Sequence, residues 1–212
     1  LLKGLAGDNS KAWMDEHREE VKAKLREPFA DLLEQLSGML KGNRPPLSGG
    51  AGTMFRMHRD VRFSSDKRPY NEHVSGLLTP SGEKSEGEPL LYLHLDAEGG
   101  FAGAGCYKLP TAELNQIREL IVADPERFAD VRADLADAGL EFSDEEAVKT
   151  MPRGFAQHAD SPHVEILRLK SLLVRRDLPK TAWKDGSIAE RVAEFARNAS
   201  PLLRFCADGL SN

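Results

Sequence analysis

Between Arg56 and Tyr70 the chain carries nine ionisable side chains in fifteen residues: Arg56, His58, Arg59, Asp60, Arg62, Asp66, Lys67, Arg68 and Tyr70. Arginine forks grip phosphate and carboxylate groups through paired hydrogen bonds, and lysine adds a point charge. Arg59, Arg62, Lys67 and Tyr70 are therefore the expected binding set for a small anionic ligand. Arg153 joins them from an Arg153-Gly154-Phe155 bend, where glycine can present an arginine and an aromatic together. The competing reading is internal: Asp60 and Asp66 neutralise the arginines, and the network merely fixes a corner of the chain. For an enzyme acting on a phosphorylated or carboxylated metabolite, the acid–base candidates are Asp60, Asp66 and His94. A scaffold that binds protein through exposed helical faces is the third reading.

Other chemistry-bearing residues are more scattered. His58 and His94 share outward faces with Asp60 and Asp96, so neighbouring strands would bring them together as ligands or as an acid–base pair; a solvated sheet face is the commoner explanation. His17 falls on an apolar helical stripe and reads as a core histidine, while the spacing of His158 and His163 around Asp160 matches no metal signature. Cys106 and Cys206 are too few for a zinc site or a redox pair, so buried thiols and no metal or cofactor are expected. The Walker loop, HExxH, GxSxG and a strand-borne GxGxxG are absent from the sequence. Gly49–Gly52 and Gly99–Gly105 offer amides for an anion, but Gly103 and Gly105 read more simply as points of close approach to a helix or neighbouring backbone. Lys170, Arg175 and Arg176 extend a basic patch from a neighbouring strand unless Glu165 and Asp177 balance them.

These residues need elements to position them. Apolar residues from Trp13 through His17, Val21, Leu25, Phe29, Leu32, Leu36 and Leu40 recur at steps of three or four, which predicts helix capped by Asp8 or Asn9. Pro28 predicts a kink or a restart, and so two helices. Alternation predicts strands over Met54–Phe63, with Arg59 stranded on the apolar side and in need of a partner, and over His73–Leu78 and Leu90–Asp96. Turn residues from Asp96 to Gly100 join the last of these to Phe101–Lys108 as a hairpin, and Thr79–Pro89 reads as a polar loop.

Helical period returns after Pro110, with Thr111 and Asp124 as caps and Gly139 as a stop. Leu140–Met151 suits either a capping box at Ser143 and Glu146 or short strands. Ser161-Pro162 opens a short helix to Leu169, Leu172–Arg176 is a strand, Ser187 with Glu190 makes a capping box, and Ser200-Pro201 starts the last helical piece. One α+β domain over 1–212 is the expectation, a mainly antiparallel sheet flanked by N-terminal and C-terminal helices.

Composition bounds the partners. The 212 residues hold 40% hydrophobic and 30% charged side chains, a soluble globular balance in which about 70% of the unfolded surface can be buried. With 29 basic against 34 acidic residues the net charge is −5, which argues against bulk capture of nucleic acid. No apolar run approaches the ~20 residues that span a bilayer, so no membrane partner is expected and cytoplasm is the default address.

The segment Arg59-Asp60-Val61-Arg62-Phe63-Ser64-Ser65-Asp66-Lys67-Arg68-Pro69-Tyr70 resembles the signature of a conserved-hypothetical bacterial family, domain of unknown function 2461. Asn9 to Trp13, Gly103-Ala104-Gly105, Pro152 to Phe155 with Pro162, Leu167 and Lys170, and Pro201-Leu202 agree in order, so the resemblance runs along essentially the whole chain. It implies a compact α+β fold in a bacterial-type cytoplasmic protein, and brings no activity, cofactor or catalytic residue with it. Met14 stands where an aromatic usually follows the tryptophan. Asn71 replaces the lysine that usually follows the tyrosine, which weakens any need for a cation there.

Overall fold

The computed structural model describes residues 1–85, 87–144 and 146–211; Glu86, in the loop read as 79–89, and Glu145, in the stretch 140–151, lie outside the described residues. A short helix α1 (Leu2–Gly7) precedes α2 (Lys11–Val21). Ser10, not Asp8 or Asn9, caps α2: its hydroxyl oxygen accepts from the Trp13 amide at 3.1 Å. One π-helical turn, Lys22–Arg26, then carries the chain into α3 (Glu27–Leu40), with Pro28 in its first turn. The helix therefore restarts as expected but without a break, because the Glu27 amide reaches back to the Lys22 carbonyl and the wider turn precedes the residue that lacks a donor. Met14, Val21, Leu25, Phe29, Leu33, Leu36 and Leu40 form the buried face. Trp13 and His17 sit beside that face, half-buried and stacked on each other at 4.1 Å, so His17 is not a core residue.

The strand expected over Met54–Phe63 does not form. That segment makes only isolated antiparallel bridges, Met54 to Gly76 and His58 to Tyr70. Its buried side chains are Met54 and Met57, three apart, while Phe55 is exposed and Phe63 is 96% exposed. The physical reason is local: Asp60 Oδ1 accepts from the Arg62 amide at 3.2 Å and Asp66 Oδ1 from the Arg68 amide at 3.1 Å. Aspartates that bond two residues ahead curl the backbone into turns and compete with a ladder.

The sheet contains β1 (Val74–Leu78), β2 (Leu90–Leu95), β3 (Phe101–Cys106) and β4 (Leu172–Asp177), antiparallel throughout in the order β1-β2-β3-β4. Asp96 builds the β2–β3 turn by accepting from the Glu98 and Gly99 amides at 2.7 and 3.0 Å. Helices α4 (Thr111–Ala123) and α5 (Pro125–Asp137) follow. Asp124 caps α5 as expected, whereas Pro110 occupies the cap position of α4 and Thr111 its first turn. After α6 (Val164–Leu167) and β4 come α7 (Lys180–Lys184), α8 (Ile188–Asn198) and α9 (Ser200–Leu210). The Ser187–Glu190 capping box is not made; the Ser187 hydroxyl accepts from Arg191 Nε at 3.0 Å instead.

Alternation gives the sheet two unlike faces. Leu91, Leu93, Ala102, Ala104, Cys106, Leu172 and Val174 are fully buried and belong to one core with residues of α3, α4, α8 and α9. Both cysteines are buried and free. The register brings Ser75, His94, Phe101 and Asp177 into one row on the other face, and Leu77, Tyr92, Gly103 and Arg175 into the next. The fold is thus α+β, one antiparallel sheet flanked by helices. No helix among the described residues is long and apolar enough to cross a membrane.

Candidate functional site

The helix-free face of the sheet floors a cleft of about 790 Å³. The strands supply Ser75, Leu77, Leu90, Tyr92, Phe101, Gly103, Leu173 and Arg175; the irregular segment supplies Phe55, Arg56, His58, Arg59 and Asp60. Planar groups form a continuous row across the strands. The His73 and His94 rings lie 4.2 Å apart, His94 stacks on Phe101 at 4.8 Å, and the Arg175 guanidinium lies over the Phe101 ring at 3.9 Å. Tyr92 and His94, two apart on β2, are linked by a 3.1 Å hydrogen bond between the phenol oxygen and Nδ1. Asp96 is 3.6 Å from His94 Nε2, too far for a direct bond.

Electrostatics divide the cleft. Burial, reinforced by His73 and Arg175, pushes His94 down to about 4 against the opposing pull of Asp96. Burial likewise lowers His73 and raises Tyr92. The His73 and His94 imidazoles are therefore neutral at pH 7, and the fixed positive charge comes from Arg56, Arg59 and Arg175, with Asp60 the sole carboxylate among the described lining residues.

The residues expected to bind an anion do not share one opening. Arg59 reaches the cleft rim, 24% exposed, and has the partner its position demands: Asp66 Oδ2 at 2.8 Å, with the Arg68 carbonyl at 3.1 Å. Arg62 points to solvent and grips Asp60 with a fork, Nε to Oδ1 at 3.0 Å and Nη2 to Oδ2 at 2.7 Å. Lys67 donates to the Val61 carbonyl at 3.0 Å, outside the cleft. Tyr70 lines a separate groove beside α2, and Arg153 is exposed in the loop ahead of α6. Arg62 is the chief cause that holds the Asp60 carboxyl below its ordinary range; Arg68, then Arg59, do the same for Asp66. Asp60 is at the rim, Asp66 ties Arg59 to Arg68, and His94 lies in the planar row beside His73, not beside His58.

Tyr92, Phe101, Gly103 and His73 were not singled out from the sequence as site residues. Their signal was present in the alternation of β2 and β3, which sets Tyr92 and His94 opposite Leu91 and Leu93. Arg175 belonged to the basic patch foreseen on a neighbouring strand, whereas Arg176 leaves by the opposite face to donate to the Ala138 carbonyl at 2.6 Å. A Cβ on Gly105 would meet the Leu172 carbonyl at 2.0 Å, the close approach expected there, but one on Gly103 would meet nothing nearer than 3.8 Å. Gly103 leaves the cleft floor bare instead of admitting a helix.

The profile of the family described as conserved hypothetical protein (DUF2461) matches residues 1–205, nearly the whole chain. The chain belongs to the DUF2461 family. No curated protein and no solved structure matches it. In this DUF2461 protein the signature from Arg59 to Tyr70 folds as a pinned loop, anchored by Asn9 of the N-terminal motif: Asn9 Nδ2 donates to the Tyr70 carbonyl and Asn9 Oδ1 accepts from the Tyr70 amide, both at 3.0 Å. Arg59 and Asp60 at the start of that loop, with Phe55, Arg56 and His58 just before it, set one wall of the cleft, and β1 to β4 set its floor.

Proposed function

We propose that this DUF2461 protein binds a small molecule in the sheet cleft, one that joins a planar or apolar body to a phosphate or carboxylate. The reading rests on Arg175 stacked on Phe101 beside the bare floor at Gly103, with Arg56 and Arg59 on the facing rim. A flat ring would lie over the bare floor at Gly103, between Tyr92 and Arg175, and its anionic group would meet arginine side chains around a single carboxylate. Of the residues named from sequence, Arg59 keeps a direct part and Asp60 sits beside it; Arg62, Lys67, Tyr70 and Arg153 lie outside this cleft.

Binding is favoured over acid–base catalysis by the state of the candidate groups. Asp60 and Asp66 are held as anions by their arginines, so neither is a proton donor at neutral pH. His94, pushed down to about 4, is a weak base there. The test is calorimetric titration with phenyl phosphate and with inorganic phosphate. Phenyl phosphate is expected to bind at least ~10-fold more tightly, about 1.4 kcal/mol, and Arg175→Ala to lose that advantage. Equal affinities for the two probes, or an unchanged titration in the variant, would overturn the reading.

A further inference from the structure

A second depression, of about 610 Å³, lies between α2 and the irregular segment. One wall is a single face of α2 and the π-helical turn, bearing Lys11, Arg18, Lys22 and Arg26; the other carries Arg56 and His58. Met14, Val21, Met57, Pro69 and Tyr70 also line it, and no carboxylate is among its described lining residues. Five permanent cations thus converge on one groove in a chain of net charge −5. Neutralisation is partial: Asp15 pairs with Arg18 and Glu27 is 3.9 Å from Lys22, while Arg26 keeps its charge and donates to the Phe55 carbonyl at 3.3 Å.

We propose that this groove is a binding site for a linear oligophosphate, distinct from the sheet cleft and touching it only through Arg56 and His58. Arg18, Lys22 and Arg26 recur every four residues, about 6 Å apart along a helix, and Lys11 extends the row to about 22 Å. Such a line of charge suits an extended anion better than a compact one. The helical wall offers side chains alone, since its amides are bonded along the helix, so a peptide laid here would find few partners for its own backbone. His58 and Tyr70 pack edge to face at 5.6 Å, which leaves no pair of open rings to stack successive bases. A phosphate chain needs neither, and the guanidinium forks fit its oxygens.

The test titrates tripolyphosphate and orthophosphate into the wild-type chain, into Arg18→Gln/Lys22→Gln, and into Arg175→Ala, at about 50 and 200 mM salt. Both substituted positions, Arg18 on α2 and Lys22 in the π-helical turn, are solvent-facing, and Lys11→Gln provides an independent arm should the double variant fold poorly. Tripolyphosphate is expected to bind at least ~10-fold more tightly than orthophosphate, to weaken steeply with salt, and to lose ~10-fold or more in the double variant while Arg175→Ala binds as wild type. Unchanged binding in these groove variants overturns the proposal. So does loss in Arg175→Ala alone, which assigns the anion to the sheet cleft, and so does equal or tighter binding of an oligoglutamate peptide or single-stranded DNA. The phenyl phosphate titration reads the cleft separately, so either site can fail without the other.

Discussion

The guanidinium carbon of Arg175 lies 3.9 Å from the centre of the Phe101 ring, across neighbouring antiparallel strands. Arg175 also forks Asp177, through Nε at 3.1 Å and Nη2 at 2.9 Å. That pair is largely solvated, which limits its own contribution to under about 1 kcal/mol. The stacked guanidinium keeps its plane fixed at the cleft floor, and a fixed plane is what a bidentate anion contact requires. A double-mutant cycle on stability with Arg175→Ala and Phe101→Leu is expected to give a coupling of about 0.5–1 kcal/mol. A coupling near zero would mean that the stack has no energetic reality.

Gly103 and Gly105 should separate fold from function. Gly105 has φ of +132° and a Cβ there would lie 2.0 Å from the Leu172 carbonyl, so Gly105→Ala is expected to cost about 2 kcal/mol or more in urea unfolding. A Cβ on Gly103 meets only open space and one carbonyl at 3.8 Å, so Gly103→Val should fold with nearly unchanged stability but fill the floor. Its phenyl phosphate affinity is expected to fall ~10-fold. Retained affinity in that variant would place the ligand elsewhere.

Stability should depend on pH through His94. Its folded value of about 4 is depressed below the ordinary 6.5, so the unfolded chain binds more protons between those values. The contribution is complete above pH 6.5 and is lost as pH falls toward 4, by up to about 3 kcal/mol. The groups that set it are the enclosing strands and His73, with Arg175 adding to the depression and Asp96 opposing it. His94→Gln is expected to flatten the decline between pH 6.5 and 4.5 in urea titrations. Parallel wild-type and variant curves over that range would contradict the assignment. Asp60 and Asp66, both depressed, add their own loss only as pH falls through and below the ordinary carboxylate range.

Asn9 behaves as a stand-in for a β partner, bonding both sides of Tyr70 at 3.0 Å and reaching Glu72 Oε1 at 3.2 Å. Asn9→Ala is expected to destabilise the protein by about 1–3 kcal/mol, a fall of several degrees in Tm for a chain of this size. Asn9→Asp should not rescue it, since the carboxylate lacks the donor and faces Glu72. A Tm equal to wild type in either variant would show the tether to be dispensable.

Much of the framework was written in local pattern. Steps of three and four placed Phe29, Leu32, Leu36 and Leu40 inward, Pro28 marked the start of α3, and Asp96 with Gly99 and Gly100 specified the hairpin. The need of Arg59 for a partner was also legible, because a guanidinium held near the surface of a core must be compensated, and Asp66 compensates it. The same pattern misled at Met54–Phe63. Alternation there states only that a strand is affordable, whereas a strand exists only where a partner ladder is available and turn-forming aspartates do not compete for the backbone.

What tertiary structure alone decided is which cations meet. Arg59 and Arg62 are three apart in sequence yet one faces the cleft and the other solvent, while Arg59 and Arg175, over a hundred residues apart, line the same opening. Sequence spacing fixes a side chain's direction relative to its own strand or helix; it carries no record of which strand lies alongside. The register of β1 to β4 supplies that record, and with it the row from His73 to Arg175 on the face that the helices leave bare.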